Sequence, residues 1–270
     1  MVVRCPAKVN LFLSVGPKDE RGYHPLRTVF QAVSLCDDLT VELSDGDSFR
    51  CDWPAIPERN SVTRALALLR ELIPVPPLAI SLVKRIPTEA GLGGGSSDAA
   101  GLIRAIKKMM PDHLSDQFAA EVALAVGADV PYFLVGGCAK ATGYGVRLEP
   151  LPDVEPQWLL IVKPDFGVPT ANAFAALDET EREWLDFPEP DIVMYNDFER
   201  VAPCECAEIA ERLYVHGAEN CLLAGSGSSV FGMFPSEEAA AKAEKRIAEE
   251  SLGQTFVTRT LTREESLWTS

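Results

Sequence analysis

A chain of 270 residues that is 47% hydrophobic and 24% charged buries a substantial core and is not disordered, collagenous or coiled-coil. Its 25 Lys+Arg against 40 Asp+Glu leave a net charge of −15, which argues against broad binding to nucleic acid or an anionic membrane. A local cationic pocket for an anionic ligand stays compatible with that field, and the length suits two domains or one large α/β unit.

The first residues, MVVRCPAKVNLFLSVG, do not read as a secretion signal, because Lys8 and Asn10 break the apolar stretch. No apolar run approaches the ~20 residues of a bilayer span. Seven cysteines at irregular spacing suggest reduced thiols and a cytoplasmic location. Cys204 and Cys206 form a C-x-C without a second pair, so unligated thiols are expected there rather than a structural metal.

In chain order, Val2 to Val15 is β-rich with period-2 stretches interrupted at Pro6. Leu26 to Leu43 is a second β-rich stretch, reached through the turn-like PKDERGYHP. Ser61 is expected to cap a helix over 62–73 that Pro74 stops. Leu78 to Ile86 reads as a strand. A glycine-rich loop follows, then a helix, DAAGLIRAIKKMM, ended by Pro111. A further helix over 117–126 closes at Gly127, and Cys138 to Leu148 reads as one strand. The proline-bearing EPLPDVEP is the expected domain boundary, giving an N-terminal domain over 1–153 and a C-terminal domain over 154–270. Beyond it come a strand over 158–162, helices starting near Thr170 and Pro203, and a strand–turn–strand over 220–234. Ser236 is expected to cap a helix over 237–249, and 256–261 is a last strand. Without strict βαβ alternation the fold class expected is α+β.

The sharpest local feature runs from Ile86 through PTEAGLGGGSS to Asp98. Four glycines in five positions (Gly91, Gly93, Gly94, Gly95) give a chain whose N–H groups can approach a ligand closely. Ser96, Ser97 and Asp98 are expected to supply N-cap chemistry to the helix that follows. Orphan N–H groups at a helix start, with the dipole behind them, favour an anion, here a phosphate chain. The loop is neither a Walker A motif nor G-x-G-x-x-G. The residues alone stop at phosphate binding, of a nucleotide by preference over a flexible linker.

Three segments together resemble the GHMP kinases, a superfamily of ATP-dependent small-molecule kinases: PAKVNLFL over 6–13, GLGGGSSDAA over 91–100 and GSGSSVF over 225–231. The segments Gly22-Tyr-His24, Gly127-Ala-Asp-Val-Pro131 and Asn196-Asp-Phe-Glu199 narrow the resemblance within the superfamily. The resemblance spans nearly the whole chain. It implies a ribosomal protein S5 domain 2-like N-terminal domain, a ferredoxin-like C-terminal domain and an active site between them. The activity it implies is ATP-dependent phosphorylation of the 2-hydroxyl of 4-(cytidine 5′-diphospho)-2-C-methyl-D-erythritol, a step of non-mevalonate isoprenoid precursor synthesis.

By the same resemblance the catalytic pair falls on Lys8 and Asp129. The ATP loop falls on Pro87, Thr88, Glu89, Ala90, Gly91, Leu92, Gly93, Gly94, Gly95, Ser96 and Ser97. Asn10, Tyr23 and His24 match substrate-contacting positions, and Phe174 stands where an aromatic, often Tyr, stacks on cytosine. Departures are mild: Val9 replaces the commoner Leu, and GSGSS stands where GSGA-type sequences are usual. ATP implies Mg²⁺, whose ligands the sequence leaves open, with Ser97 and Asp98 the nearest candidates. The expected partner is the small-molecule substrate, with no nucleic acid and no membrane, for a monomer or a homodimer.

Phosphoryl transfer needs positioning and charge neutralisation, and a carboxylate within reach of the acceptor hydroxyl can take its proton. Asp129 suits that role, but an Asp after a helix end is also a common Asx-turn. Lys8 could equally face solvent from the polar side of its strand. Tyr23 and His24 could fold back on the core, and the GSGSS turn could be a simple hairpin. Rival functions are another GHMP kinase, acting on mevalonate, homoserine or a sugar, and a non-catalytic nucleotide-binding protein on the same scaffold. The retention of both Lys8 and Asp129 disfavours the second. A thiol redox protein has no C-x-x-C to support it.

Overall fold

The computed structural model describes residues 1–53, 55–188 and 193–270. Two long strands, β1 (Val2–Val15) and β2 (Leu26–Leu43), form the spine of the first sheet by antiparallel pairing. Around them the chain adds β3 (Ser48–Cys51), helix α1 (Ser61–Leu72), β4 (Leu78–Val83), α2 (Gly94–Met109), α3 (Asp116–Val126), the single turn α4 (Tyr132–Val135), and a hairpin of β5 (Cys138–Thr142) and β6 (Arg147–Pro150). The strand order is β3-β4-β2-β1, with β5 also pairing β2 and β6 pairing β5. Helices α1 to α3 cover one face, over a core that includes Phe30, Leu39, Leu69, Ile80, Leu102 and Ile106.

The second sheet takes β7 (Trp158–Lys163), helix α5 (Thr170–Asp178), the two-residue strand β8 (Tyr195–Asn196), a 3₁₀ turn over Asp197–Arg200, α6 (Cys204–Val215), β9 (Asn220–Leu223), β10 (Val230–Phe234), α7 (Glu237–Glu249) and β11 (Gln254–Arg259), before a final turn α8 (Arg263–Ser266). Strand β8 leaves this group and pairs parallel with β1, extending the first sheet. The remaining order, β11-β7-β10-β9, is fully antiparallel. With two helical crossovers, that order is the ferredoxin-like arrangement, so both halves match the α+β expectation.

The apolar run WLLIV of β7 explains how the halves meet. Alternate side chains of a strand point to opposite faces. Leu159 and Ile161 enter a core shared with Ala7, Val9, Val33 and Ile86 of the first half. Leu160 and Val162 face the other way, toward Ile209, Leu213, Ala243 and Ile247 of α6 and α7. A strand buried on both faces reads as a continuous hydrophobic run. The last residues also return to the first sheet, with Thr269 bridged to Val3.

Several boundaries differ from the sequence reading, each for a visible reason. Asn60, not Ser61, caps α1, its side chain accepting from the N–H groups of Val62 and Thr63. Strand β4 ends at Val83, short of Ile86, because the Asp37 carboxylate captures the N–H groups of Arg85 and Ile86 that a ladder would use. The strand expected over 138–148 is two strands, because Gly143 and Gly145 adopt positive φ (68° and 85°) and turn the chain back. Among the described residues no helix is long and apolar enough to cross a membrane.

Helix α2 lies so close to β1 that a Cβ on Gly101 would stand 2.4 Å from the buried Cys5 Sγ. Replacing a mid-helix glycine by alanine ordinarily gains up to about 1 kcal/mol. Overpacking a tight core costs about 1–3 kcal/mol. The second effect wins at this position. Gly101→Ala is expected to lower the urea midpoint, and an unchanged or raised midpoint refutes the close packing.

Candidate active site

A cleft of about 530 Å³ opens between the two halves, lined on one side by Lys8, Asn10, Thr28, the glycine loop and Asp129, and on the other by Thr170, Phe174, Phe198, Gly225 and Ser226. Its residues come from eight separated stretches of chain, so it exists only in the folded molecule.

Lys8 reaches the cleft because β1 changes phase. Val3 and Cys5 pack with the helix-covered core. At the register shift between Pro6 and Ala7 the alternation slips, and Ala7 and Val9 turn into the core between the sheets. Lys8 and Asn10 alternate with them and so face the cleft on the other side of the strand, past a shift at which Ser34 and Leu35 of β2 go unpaired. The solvent-facing alternative for Lys8 is overturned: the residue is 4% exposed. Its Nζ donates to Asn10 Oδ1 at 2.8 Å and lies 3.9 Å from Asp129 Oδ2. Burial pushes its ammonium below the ordinary lysine range, with Asp129 opposing part of that shift. Asp129 sits between α3 and α4, with a side chain 39% exposed toward the cleft. The 121 positions separating the pair in sequence close to one ionic contact.

The glycine loop is held from two sides. Leu92 O accepts from Lys8 N at 3.0 Å, and Ala90 O accepts from Ser229 N at 3.3 Å. Gly91, at φ 74°, packs so tightly that a Cβ would stand 1.9 Å from Ala224 O. Helix α2 starts four residues earlier than expected, at Gly94, with Gly93 at φ 73° as its N-cap and no side-chain capping bond. The capping role expected of Ser96, Ser97 and Asp98 is therefore overturned; all three lie inside the helix. Its first internal bond is Ser97 N to Gly93 O. The N–H groups of Gly94, Gly95 and Ser96 precede that bond and have no acceptor within the helix. All three residues line the cleft, and a helix start of this kind has the geometry and dipole that suit an anion.

Asp98 has another task. Its Oδ2 accepts from Lys84 Nζ at 2.8 Å, and Lys84 also pairs with Asp37, all three side chains being buried. Burial pushes Lys84 down, but Asp98 and Asp37 together outweigh it and hold the ammonium above its ordinary range. Burial and then Asp37 push the Asp98 carboxyl well up, against Lys84. This cluster stands directly beneath Gly94, whose Cβ would lie 3.1 Å from Lys84 Nζ. Removing one partner of such a buried set strands a charge, at a cost of about 3–5 kcal/mol.

The turn over 225–229 is more than a hairpin. Asn196 Nδ2 donates to Leu223 O and Gly225 O at 2.9 and 2.7 Å, and Glu199 Oε1 accepts from Leu223 N. The NDFE segment thus clamps this turn against the loop. Asp197 of the same segment accepts from Val15 N and Tyr195 Oη, tying it to β1.

The expected substrate-contacting residues are dispersed. Asn10 and Phe174 line the cleft. His24 lies behind Phe174, stacked at 5.2 Å, with Nδ1 3.0 Å from Gly16 O and Nε2 3.1 Å from Asp178 Oδ1. Tyr23 stands outside the cleft, 65% exposed, its ring edge against Tyr144. Sequence reasoning missed Lys84, Asp37, Thr28, Asn60, Thr170 and Phe198. A cation two residues before Ile86 was a usable signal for Lys84, and the Asn196-Asp-Phe-Glu199 segment was one for Phe198; the others carry no local one.

The GHMP kinases N terminal domain family matches residues 60–137. A 4-diphosphocytidyl-2-C-methyl-D-erythritol kinase of Geobacter metallireducens is 38% identical over 268 residues, covering 93% of this chain and 95% of that protein. This chain belongs to the 4-diphosphocytidyl-2-C-methyl-D-erythritol kinase family of GHMP kinases. A crystal structure of a 4-(cytidine 5′-diphospho)-2C-methyl-D-erythritol kinase superposes with a TM-score of 0.84 at 33% identity, covering 96% of this chain and 99% of that one. A homoserine kinase from Cytophaga hutchinsonii shares the fold at TM-score 0.70 and 20% identity, covering 97% and 94% of the two chains. The match covers both halves, so the cleft between them belongs to the family's architecture. At Gly93 a Cβ would meet the Phe133 ring at 2.9 Å on a backbone of φ 73°. Gly93→Val is expected to weaken ATP binding by calorimetry, and unchanged affinity refutes the loop's role as the phosphate cradle.

Proposed function

We propose that this protein transfers the γ-phosphoryl group of ATP to the 2-hydroxyl of 4-(cytidine 5′-diphospho)-2-C-methyl-D-erythritol. The observation that carries the reading is the convergence of Lys8 and Asp129 at 3.9 Å beside the glycine loop. In this reading residues 1–153 supply the nucleotide loop and the catalytic pair, and residues 154–270 complete the far wall with Thr170, Phe174 and the 225–226 turn.

The free N–H groups of Gly94, Gly95 and Ser96 hold phosphate oxygens, and the half-exposed Asp129 faces the acceptor hydroxyl. As the new O–P bond forms, the hydroxyl proton passes to Asp129 and ADP departs with the electrons of the broken P–O bond. Lys8, buried and charged, offsets the negative charge that gathers on the oxygens between them, where low dielectric strengthens the effect. Phe174 offers an aromatic face to the cytosine. Tyr23 and His24 belong to the loop that brings this wall together, with His24 bracing Phe174 from behind.

The described residues contain no group of three or more His, Cys, Asp or Glu able to hold a metal ion. Mg²⁺ would therefore arrive on ATP and be held chiefly by phosphate and water. The Ser97 hydroxyl, buried without a hydrogen-bond partner, has the hard-oxygen chemistry of a further ligand. Asp98, which lines the cleft, offers a second such oxygen: Lys84 engages its Oδ2, and its Oδ1 is buried without a hydrogen-bond partner. When bound, the ion neutralises phosphate charge.

Asp129→Ala is expected to fold and bind ATP while losing ~10²-fold or more in kcat, the scale of a lost general base. Near-normal turnover in an assay with ATP, Mg²⁺ and the cytidine-diphospho alcohol sinks the assignment. Because burial lowers the Lys8 pKa, activity in kcat/KM should decline with rising pH at a lower value than an ordinary lysine would impose. Lys8→Met should remove that limb of the profile together with most of the activity. A profile flat up to the ordinary lysine range contradicts the role of Lys8.

A further inference from the structure

Thr28 lies on β2, fully buried, with its side chain against the floor of the cleft. Its hydroxyl is 2.7 Å from Phe12 O and 2.8 Å from Asn10 Nδ2. These two contacts fix a direction. A carbonyl can only accept, so the single hydroxyl proton of Thr28 goes to Phe12 O. What the hydroxyl then offers Asn10 is a lone pair, and only the amide nitrogen can donate to it. The amide oxygen must therefore point the other way, and there it meets Lys8 Nζ at 2.8 Å. An ammonium has donors and no acceptor, so the Lys8 end demands the same orientation. A flipped amide would set N–H against N–H at one end and oxygen against a committed hydroxyl at the other.

We infer that Thr28 is a positioning residue for the phosphoryl transfer: it fixes the sense of the Asn10 amide, and through it the placement of the Lys8 ammonium beside Asp129. The relay runs Phe12 O, Thr28, Asn10, Lys8, Asp129, and everything in it but the Asp129 carboxylate is buried. Burial matters, because no water competes for these groups and an unmade bond there is costly. The strand supplies the rigidity. Asn10 and Phe12 flank a register shift in the β1–β2 ladder, so their placement is set by the sheet and not by a mobile loop. Asn10 keeps a second amide hydrogen and a second oxygen lone pair for the cleft, each with a fixed aim.

The inference rests on the reading of Lys8 as the active-site cation, and the test separates the two. Thr28→Val keeps the β-branched shape and deletes the hydroxyl; Thr28→Ser keeps the hydroxyl. Two readouts are taken: steady-state kinetics, and the titration of Lys8 Nζ in the ligand-free protein by NMR. Thr28→Val should lower kcat by ~10-fold or more, since small misplacements of a catalytic group cost up to ~10² in rate, with the KM for ATP near that of the parent. The Lys8 titration should move to lower pH, because the acceptor that favours its charged form is no longer held in place. Thr28→Ser should restore both. Should Thr28→Val not fold, Thr28→Ala carries the same comparison. Parent-like kcat and Lys8 titration in the Val variant overturn the relay, as does a Ser variant as impaired as Val, which would assign the effect to packing. Full turnover by Lys8→Met would instead overturn the role of Lys8 itself, whatever Thr28 does.

Discussion

Main chain pressed against main chain is the constraint on which the site depends. The glycine loop lies between the edge of β1 at Lys8 and the turn at Ala224, with no room for a side chain at Gly91. Each half of the molecule contributes one wall to that clamp. The shared core of Ala7, Val9, Leu159, Ile161 and Phe231 holds the walls in register. If the halves moved apart, the loop would lose its second support and Lys8 its neighbour at Gly225.

Charge is managed at close quarters within a chain of net charge −15. Two buried lysines face the cleft, and each is held by a different device. Lys84 is locked between Asp37 and Asp98 beneath the helix start, where it braces the loop. Lys8 has one loose carboxylate partner and one amide, and its charge stays available to a ligand. The contrast follows from desolvation: a cation tied to two carboxylates is neutralised, whereas one with a distant, half-exposed partner keeps an unmet field. A polyanionic ligand meets that field and the helix dipole of α2 together.

Much of the architecture was legible because apolar periodicity and punctuation are local. Strands β1 and β2, the helix capped by Ser236 and the continuous apolar β7 were readable from their own residues. Boundaries failed where a distant group intervened. The carboxylate of Asp37 ended β4, and the left-handed Gly93 let α2 begin inside the glycine loop, where Ser96 to Asp98 had the look of caps. Tyr23 and His24 are a further instance. Their loop was recognisable, but the ring of His24 turned behind Phe174 and that of Tyr23 turned toward Tyr144, according to contacts made with segments far away in sequence.

Contiguous residues were enough to give the α+β class and, through the motifs, the kinase family, and they marked the glycine loop as the candidate phosphate cradle. The tertiary structure alone decided that Lys8 is buried rather than solvent-facing, since that depends on a slip in strand pairing at Pro6. It alone decided that Asp129 lies beside Lys8, that Lys84 is bound to two acids, and that Thr28 governs an amide across the ladder. Those relations join residues separated by up to 121 positions, and no local pattern records which strand will lie beside which or on what face a side chain will emerge.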